Sequence, residues 1–347
     1  PMPTAAVVPH APKALPQPYL LFLGDIVEPG YAKTAFGLRD WAPERCLGEF
    51  ACPGATVSTG LPRLTPAQAR ALGARAMVIG VANPGGRIPP AWVPALLDAL
   101  QAGLDLVGGM HARLAGIDVL RNSAIAHGRR LIDVREPPSD LPVASGRKRT
   151  GKRLLTVGTD CALGKKYTAL SLARAFRERG LDATFRASGQ TGILIAGAGV
   201  PMDAVIADFA AGAAEFLSPD ADPAHWDVVE GQGSLSHPAY AGVSLSLLHG
   251  SQPDVIVVCH AVGRERMLGH AHYLVPSIEE TIDLALRLGA RTNPAIRCAG
   301  VSLNTAALDD ADAQDAIAST AARLGLPVAD PVRGGAAFER LVDACLA

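Results

Sequence analysis

The chain has 347 residues, a formal net charge of −1 and an apolar fraction of 49%. These values exclude an intrinsically disordered chain, leave room for two folded domains, and lack the basic excess typical of nucleic-acid-binding proteins. The proline-rich amino terminus lacks the features of a signal peptide, and no stretch approaches the roughly 18 apolar residues of a membrane span. Six scattered cysteines form no Cys-x-x-Cys pair. We therefore expect a cytoplasmic protein with reduced thiols that binds neither nucleic acid nor membrane.

The first half of the chain predicts one α/β domain. Residues 1–18 are predicted to be a flexible lead, because repeated prolines remove backbone donors and block helices. The domain follows at 19–136, with predicted strands at 19–23, 76–80, 104–107 and 130–134 and predicted helices at 91–101 and 117–127. This alternation is typical of a parallel sheet covered by helices. Residues 137–152 have few large apolar side chains and are predicted to be a solvated basic linker.

The second half, residues 153–347, predicts another α/β domain with a clearer alternation. Strands are predicted at 153–157, 183–187, 227–230, 254–260, 298–304 and 327–330. Helices are predicted at 165–179, 203–216, 278–288, 310–324 and 336–344. The pattern indicates a doubly wound parallel sheet, in which the loops at the carboxyl ends of the strands face a ligand crevice.

A strand, a glycine-bearing loop and a helix follow one another at GTDCALGKK, residues 158–166, which predicts a phosphate-binding P-loop. The predicted site comprises Gly158, Thr159, Asp160, Cys161, Ala162, Leu163, Gly164, Lys165 and Lys166. Gly158 lies one residue too far from Gly164 for the usual spacing. Lys166 stands where a serine or threonine normally holds Mg²⁺, which favours a phosphate site that uses no metal. Cys161 is interpreted as a small filler in preference to a nucleophile.

Polar residues at the ends of other strands predict the remaining parts of an active site. Glu230 ends an apolar strand and is a candidate general base, with His237 as a second candidate. Predicted substrate ligands are Arg186, Gln190, Thr191, Gln232 and Arg264. Asn304, at the end of a later strand, is predicted to contact a nucleobase edge. The histidines at 260, 270 and 272 lack a recognised ligand spacing, so no metal site is expected.

Several segments together resemble the P-loop family of D-glutamate N-acetyltransferases, long catalogued as a domain of unknown function. The resemblance rests on AKTAFGL at 32–38, GVANPGGR at 80–87, GTDCALGK at 158–165, SGQTG at 188–192 and VEGQGSLSHPAY at 229–240. It implies an N-terminal Rossmann-like domain, a C-terminal P-loop NTPase-like domain, and transfer of an acetyl group from acetyl-CoA to the amine of D-glutamate.

For that chemistry the protein must deprotonate an ammonium group and stabilise an oxyanion. Glu230 or His237 is expected to do the first, and loop amides or Lys165 the second. The competing interpretations are an ATP- and Mg²⁺-dependent enzyme similar to dethiobiotin synthetase and a non-catalytic nucleotide sensor. The expected partners are acetyl-CoA, a small amino acid and further copies of the chain in a homo-oligomer.

Overall fold

The protein is described by a computed structural model that covers residues 15–347, so most of the predicted flexible lead lies outside the described residues. These residues form two compact units. The N-terminal unit comprises residues 15–137 together with Gln190–Ala204, and the P-loop unit comprises Pro138–Gly189 and Val205–Ala347. Among residues 15–347, no helix has the length and apolar character needed to cross a lipid bilayer.

The N-terminal unit contains a parallel sheet with the strand order β2-β1-β3-β4-β5. Its strands are β1 (Tyr19–Phe22), β2 (Cys46–Phe50), β3 (Ala76–Ile79), β4 (Asp105–Gly108) and β5 (Leu131–Asp133). Its helices before residue 137 are α1 (Lys33–Trp41), α2 (Pro66–Ala71), α3 (Val93–Gln101) and α4 (Asp118–Ala126). The predicted parallel α/β arrangement is confirmed. The sequence analysis missed β2 because Gly48 and Glu49 interrupt its apolar run.

A segment from the second half of the sequence completes the N-terminal unit. Helix α6 (Gln190–Ala196) lies in the second half of the chain, yet it packs beside α1 of the N-terminal unit. The Thr191 hydroxyl lies 3.0 Å from that of Thr34, and Gln190 pairs with the Gly109 carbonyl and with Arg135. Arg135 also forms an ion pair with Asp203. The segment that the sequence assigns to the second domain therefore belongs structurally to the first.

The P-loop unit contains a larger parallel sheet with the strand order β13-β12-β9-β6-β8-β7. Its strands are β6 (Lys152–Gly158), β7 (Ala183–Arg186), β8 (Trp226–Val229), β9 (Val255–Ala261), β12 (Arg297–Asn304) and β13 (Val328–Ala329). Its helices are α5 (Lys165–Glu178), α7 (Ala207–Leu217), α8 (Ala241–Ser251), α9 (Ile278–Gly289), α10 (Asp310–Leu324) and α11 (Gly335–Leu346). The first strand, β6, lies inside the sheet with later strands on both sides, which confirms the predicted doubly wound topology.

An antiparallel hairpin follows β9 and was missed by the sequence analysis. Its strands are β10 (Arg266–Met267) and β11 (His270–Leu274). Most of β11 is exposed, including Tyr273 and Leu274. The hairpin is too short and too polar to give a clear apolar alternation, so its sequence resembles a loop.

The basic cluster before β6 is part of the folded P-loop unit, contrary to the expectation of a solvated linker. Arg149 is 6% exposed and donates to the carbonyl groups of Ser218 and Gly250. Arg153, at the start of β6, is fully buried and donates to the Pro219 carbonyl. Buried guanidinium groups must be hydrogen-bonded, and here backbone carbonyls supply the acceptors.

Candidate active site

The loop between β6 and α5 has the backbone geometry of an anion site. Gly158 ends β6, and α5 begins at Lys165. Ala162 has φ 54° and Gly164 has φ 109°, so the loop contains two left-handed residues separated by one residue. Such alternation turns successive amide groups towards a common concavity, and the amino end of α5 adds a partial positive charge. The loop therefore fits a phosphate group, as its sequence predicts.

Lys165 is folded back across this loop. Its Nζ donates to the Asp160 carbonyl at 2.7 Å, and the side chain passes close to Gly231. The residue is 6% exposed, and burial lowers the pKa of Lys165. A buried ammonium group that lacks a full counter-charge gains most from an incoming anion, because the anion replaces the lost hydration.

The hydroxyl nearest to the two lysines is committed to the fold. Thr168 is 2% exposed in the first turn of α5. Its hydroxyl donates to the Gly164 carbonyl at 3.1 Å and shares a 2.7 Å hydrogen bond with Ser302. The usual P-loop pattern has a Mg²⁺-binding hydroxyl at the position of Lys166. Thr168 therefore does not supply that hydroxyl here.

Glu230 follows β8 and is held by backbone amides. Its Oε2 accepts from the amides of Ser188 and Gly189 at 3.0 and 3.1 Å. The side chain is 4% exposed. Burial raises the pKa of Glu230, while Lys166, the two amides and Lys165 oppose that shift. A carboxylate with a raised pKa is a stronger base than an exposed one, so the site contains a fixed proton acceptor.

Asp160 connects the loop to the hairpin that follows β9. Its Oδ1 accepts from the Cys161 amide at 2.6 Å. Its Oδ2 accepts from Arg264 at 2.8 Å and from the Leu268 amide at 2.9 Å. Arg264, predicted as a substrate ligand, is therefore paired with Asp160 and fixes the shape of the loop.

His237 lies beside the same carboxylate, in the segment after β8. It is 1% exposed, and burial lowers its pKa. Its ring stacks on Tyr240 at a centroid distance of 4.7 Å and meets the ring of His270 edge-on at 4.9 Å. Its Nε2 is 3.9 Å from Oδ1 of Asp160. His237 and Lys165 thus both lie at the phosphate loop, and their predicted catalytic roles stay predictions.

Asp160, Cys161 and His237 each bring one potential metal ligand to within 4.8 Å of the others. This set suits a divalent cation poorly. Both carboxylate oxygens of Asp160 already accept hydrogen bonds, and Arg264 and Lys165 place positive charge beside them. Burial also raises the pKa of Cys161, which disfavours the thiolate that a metal requires.

With this geometry in view, the chain can be compared with known proteins. Residues 142–342 match the family model described as DUF1611_C, a P-loop domain of unknown function, and residues 50–137 match DUF1611_N, a Rossmann-like domain. A crystal structure of a DUF1611 family protein from Anabaena variabilis superposes with a TM-score of 0.83 at 35% identity, covering 95% of this chain and 99% of that one. The chain belongs to the DUF1611 family.

Two curated relatives are similar along almost the whole chain. A D-glutamate N-acetyltransferase from a Pseudoalteromonas species is 48% identical over 318 residues, which cover 92% of this chain and 96% of that protein. A D-glutamate N-acetyltransferase from Tritonibacter scottomollicae is 49% identical over 330 residues, which cover 95% and 98%. The resemblance inferred from the sequence and the predicted pairing of a Rossmann-like with a P-loop domain are thereby confirmed.

Other predicted ligands of this DUF1611 protein have partners within the fold. Arg186 pairs with the buried carboxylate of Asp227 at 2.5 Å, which draws its side chain back along β8 and away from the loop edge. Gln190 and Thr191 belong to the N-terminal unit. Because these contacts satisfy the three side chains, their predicted roles as substrate ligands stay predictions.

Gln232 and Asn304 remain near the phosphate loop. Gln232 donates to the Ser188 hydroxyl at 3.0 Å and so supports the segment that holds Glu230. The Asn304 amide nitrogen lies 3.4 Å from the Leu163 carbonyl, and its oxygen accepts from the Ala306 amide. Asn304 therefore contacts the loop, and its predicted contact with a nucleobase stays a prediction.

The sequence analysis missed the groups that orient the catalytic candidates. Ser188 and Gly189 act through their amides, which every residue type except proline carries, so the SGQTG segment gave no sign of this role. The Leu268 amide, which binds Asp160, is equally hidden. Nδ1 of His260 shares a 2.8 Å hydrogen bond with the Thr159 hydroxyl. The position of His260 at the end of an apolar strand was the sequence signal that could have predicted this contact.

Proposed function

We propose that the chain transfers an acetyl group from acetyl-CoA to the amine of D-glutamate. The observation that carries this proposal is the 48–49% identity, over more than nine-tenths of the chain, to two curated D-glutamate N-acetyltransferases. The described cysteines are all free, which supports the expected reducing, cytoplasmic environment.

The loop geometry supports acetyl-CoA as the donor. CoA carries a pyrophosphate, which suits the left-handed loop and the adjacent charges of Lys165 and Lys166. A thioester is already activated, so transfer of its acyl group needs no nucleotide hydrolysis. The lysine at position 166 and the committed hydroxyl of Thr168 agree with a donor that is bound without Mg²⁺.

We assign the role of general base to Glu230. The ammonium group of the amino acid must lose a proton before its nitrogen can attack the thioester carbonyl. The nitrogen then forms the new bond to carbon, the carbon–sulfur bond breaks, and the second proton that the nitrogen loses passes to sulfur, so that CoA leaves as a thiol. Glu230 accepts the ammonium proton, and its raised pKa brings it closer to that of the group it deprotonates.

The proposal is tested by following free CoA thiol in a mixture of protein, acetyl-CoA and D-glutamate that lacks ATP. Reactions with L-glutamate, with no acceptor and with Glu230→Gln run in parallel. Thiol release that depends on D-glutamate and is lost in the variant is the expected result. Thiol release with another amino acid in place of D-glutamate would identify that amino acid as the acceptor. Turnover that requires ATP and Mg²⁺ would establish the dethiobiotin-synthetase-like alternative, and ATP binding without turnover would indicate a sensor.

A further inference from the structure

His237 has a polar atom whose partner is missing. Among residues 15–347, its Nε2 is a buried side-chain nitrogen without a hydrogen bond. Oδ1 of Asp160, at 3.9 Å, is too distant, and the Leu268 carbonyl is near enough to affect the pKa of His237 without completing hydrogen-bond geometry. Buried polar atoms of folded proteins are usually satisfied, so an exception beside a ligand loop points to an absent ligand.

The other ring nitrogen determines which proton His237 carries. Nδ1 accepts a hydrogen bond from the Ala239 amide at 3.1 Å, so it has no proton of its own. In the neutral ring the proton must then reside on Nε2. An Nε2–H group cannot accept a proton from substrate. It also cannot ligate a metal in the usual way, since a metal-bound histidine donates from its other nitrogen.

We infer that His237 is a neutral hydrogen-bond donor whose Nε2–H contacts an oxygen of the acyl donor, either a phosphate oxygen or the thioester carbonyl oxygen. This inference rests on the proposed function and replaces the role of general base that the sequence suggests for His237. It leaves Glu230 as the base.

The surroundings of Nε2 favour an oxygen acceptor that carries negative charge. Lys165 supplies positive charge from the phosphate loop, and the negative charge of Asp160 is neutralised by Arg264. Tyr240 stacks on the His237 ring, and His270 from the hairpin meets that ring in a perpendicular arrangement. Because these rings fix its orientation, the donor is in place before ligand binds, which is the condition for effective stabilisation of charge.

The test compares two substitutions at one position. His237→Gln keeps an N–H donor near the place of Nε2 but offers no base of comparable strength, whereas His237→Phe keeps the ring and removes the donor. We expect His237→Gln to retain kcat/KM within a factor of about ten, and His237→Phe to lose roughly 10²-fold. His272→Phe, at an exposed position in β11, is the matched control and should behave like wild type.

Calorimetric titration with CoA distinguishes the two oxygen sources. If Nε2–H contacts a phosphate, His237→Phe weakens CoA binding by roughly the factor by which kcat/KM falls. If it contacts the thioester carbonyl, which free CoA lacks, CoA binds with wild-type affinity and kcat alone falls. Melting temperatures serve as the folding control. His237→Phe removes an unsatisfied buried nitrogen but also removes the acceptor of the Ala239 amide, so we expect the melting temperature of the ligand-free protein to change little.

Two results would overturn the inference when the wild-type protein turns over. One is equal activity of His237→Phe and wild type. The other is an equal loss of kcat/KM in His237→Gln and His237→Phe with unchanged melting temperatures, which would indicate that His237 acts as a base. If the wild-type protein shows no acetyl transfer, the proposed function fails separately. Nitrogen-15 NMR of the histidine rings then decides, and a proton on Nδ1 rejects the donor role.

Discussion

The two parallel sheets of this protein use their carboxyl edges differently. At the edge of the P-loop sheet, Lys165, Glu230 and His237 are each at most 6% exposed. Burial lowers the pKa of Lys165 and of His237 and raises that of Glu230, which favours the neutral form of each. At the edge of the N-terminal sheet, Asp25 is exposed and accepts from the Trp92 indole at 2.7 Å. Buried ionisable groups are destabilising, so three of them around one phosphate loop indicate where function opposes stability.

The largest effect that would test this contrast is expected from Gly231→Ala. A Cβ at this position would overlap the Thr156 carbonyl oxygen and come within 3.2 Å of the Lys165 side chain. We expect loss of activity and a fall of about 3 kcal/mol in the free energy of unfolding, measured by urea titration. Gly242→Ala, in α8 with open space around it, is the control and should be neutral or stabilising.

Glu230→Gln should separate activity from stability. Loss of the base is expected to lower kcat by at least about 10²-fold. Because burial raises the pKa of Glu230, the folded protein binds the proton more tightly than the unfolded chain. Wild-type stability should therefore decline as pH rises from the unfolded value of about 4.3 through the higher folded value.

The glutamine variant should lack this decline and melt higher than wild type at neutral pH. Melting curves from pH 4 to 8 measure the difference, with the exposed Glu178→Gln as control. A variant that melts lower at neutral pH would contradict the claim that ionised Glu230 is destabilising.

Lys165→Met should weaken the binding of CoA by about 2 kcal/mol, or roughly 30-fold, because it removes one charged donor to phosphate. Binding of an anion should also raise the lowered pKa of Lys165, so the wild-type protein takes up protons on CoA binding at pH values near the pKa of Lys165 in the ligand-free protein. Calorimetry in two buffers of different ionisation enthalpy measures that uptake. Lys148→Met, an exposed ion-pair position, should change neither quantity.

The smallest effect is expected from Asp25→Asn in the N-terminal unit. The amide oxygen still accepts from the Trp92 indole, so the free energy of unfolding should stay within about 0.5 kcal/mol of wild type. We expect unchanged kcat and KM in the thiol assay. A tenfold loss of kcat would end the contrast between the two edges and place catalysis in both units.

The sequence predicts those features that depend on local pattern. The buried strands near residues 19, 76 and 153, and the positions of Lys165 and Glu230 after β6 and β8, follow from apolar runs and the turns that end them. Features that depend on contacts outside the apolar periodicity were hidden. The burial of Arg149 requires the carbonyl of Gly250, and the tautomer of His237 depends on a local turn that brings the Ala239 amide to Nδ1. Neither contact leaves a periodic signal.

The docking of Gln190–Ala204 in the N-terminal unit has a consequence for synthesis of the protein. A nascent chain that has emerged as far as residue 137 has all five strands of the first sheet but lacks the helix that contacts Thr34, Gly109 and Arg135. Domains that are continuous in sequence fold as they leave the ribosome. Here the first unit cannot complete its fold until Pro138–Gly189 of the second unit and the helix itself have been translated. A gene cut between the units would yield a first fragment that lacks this helix.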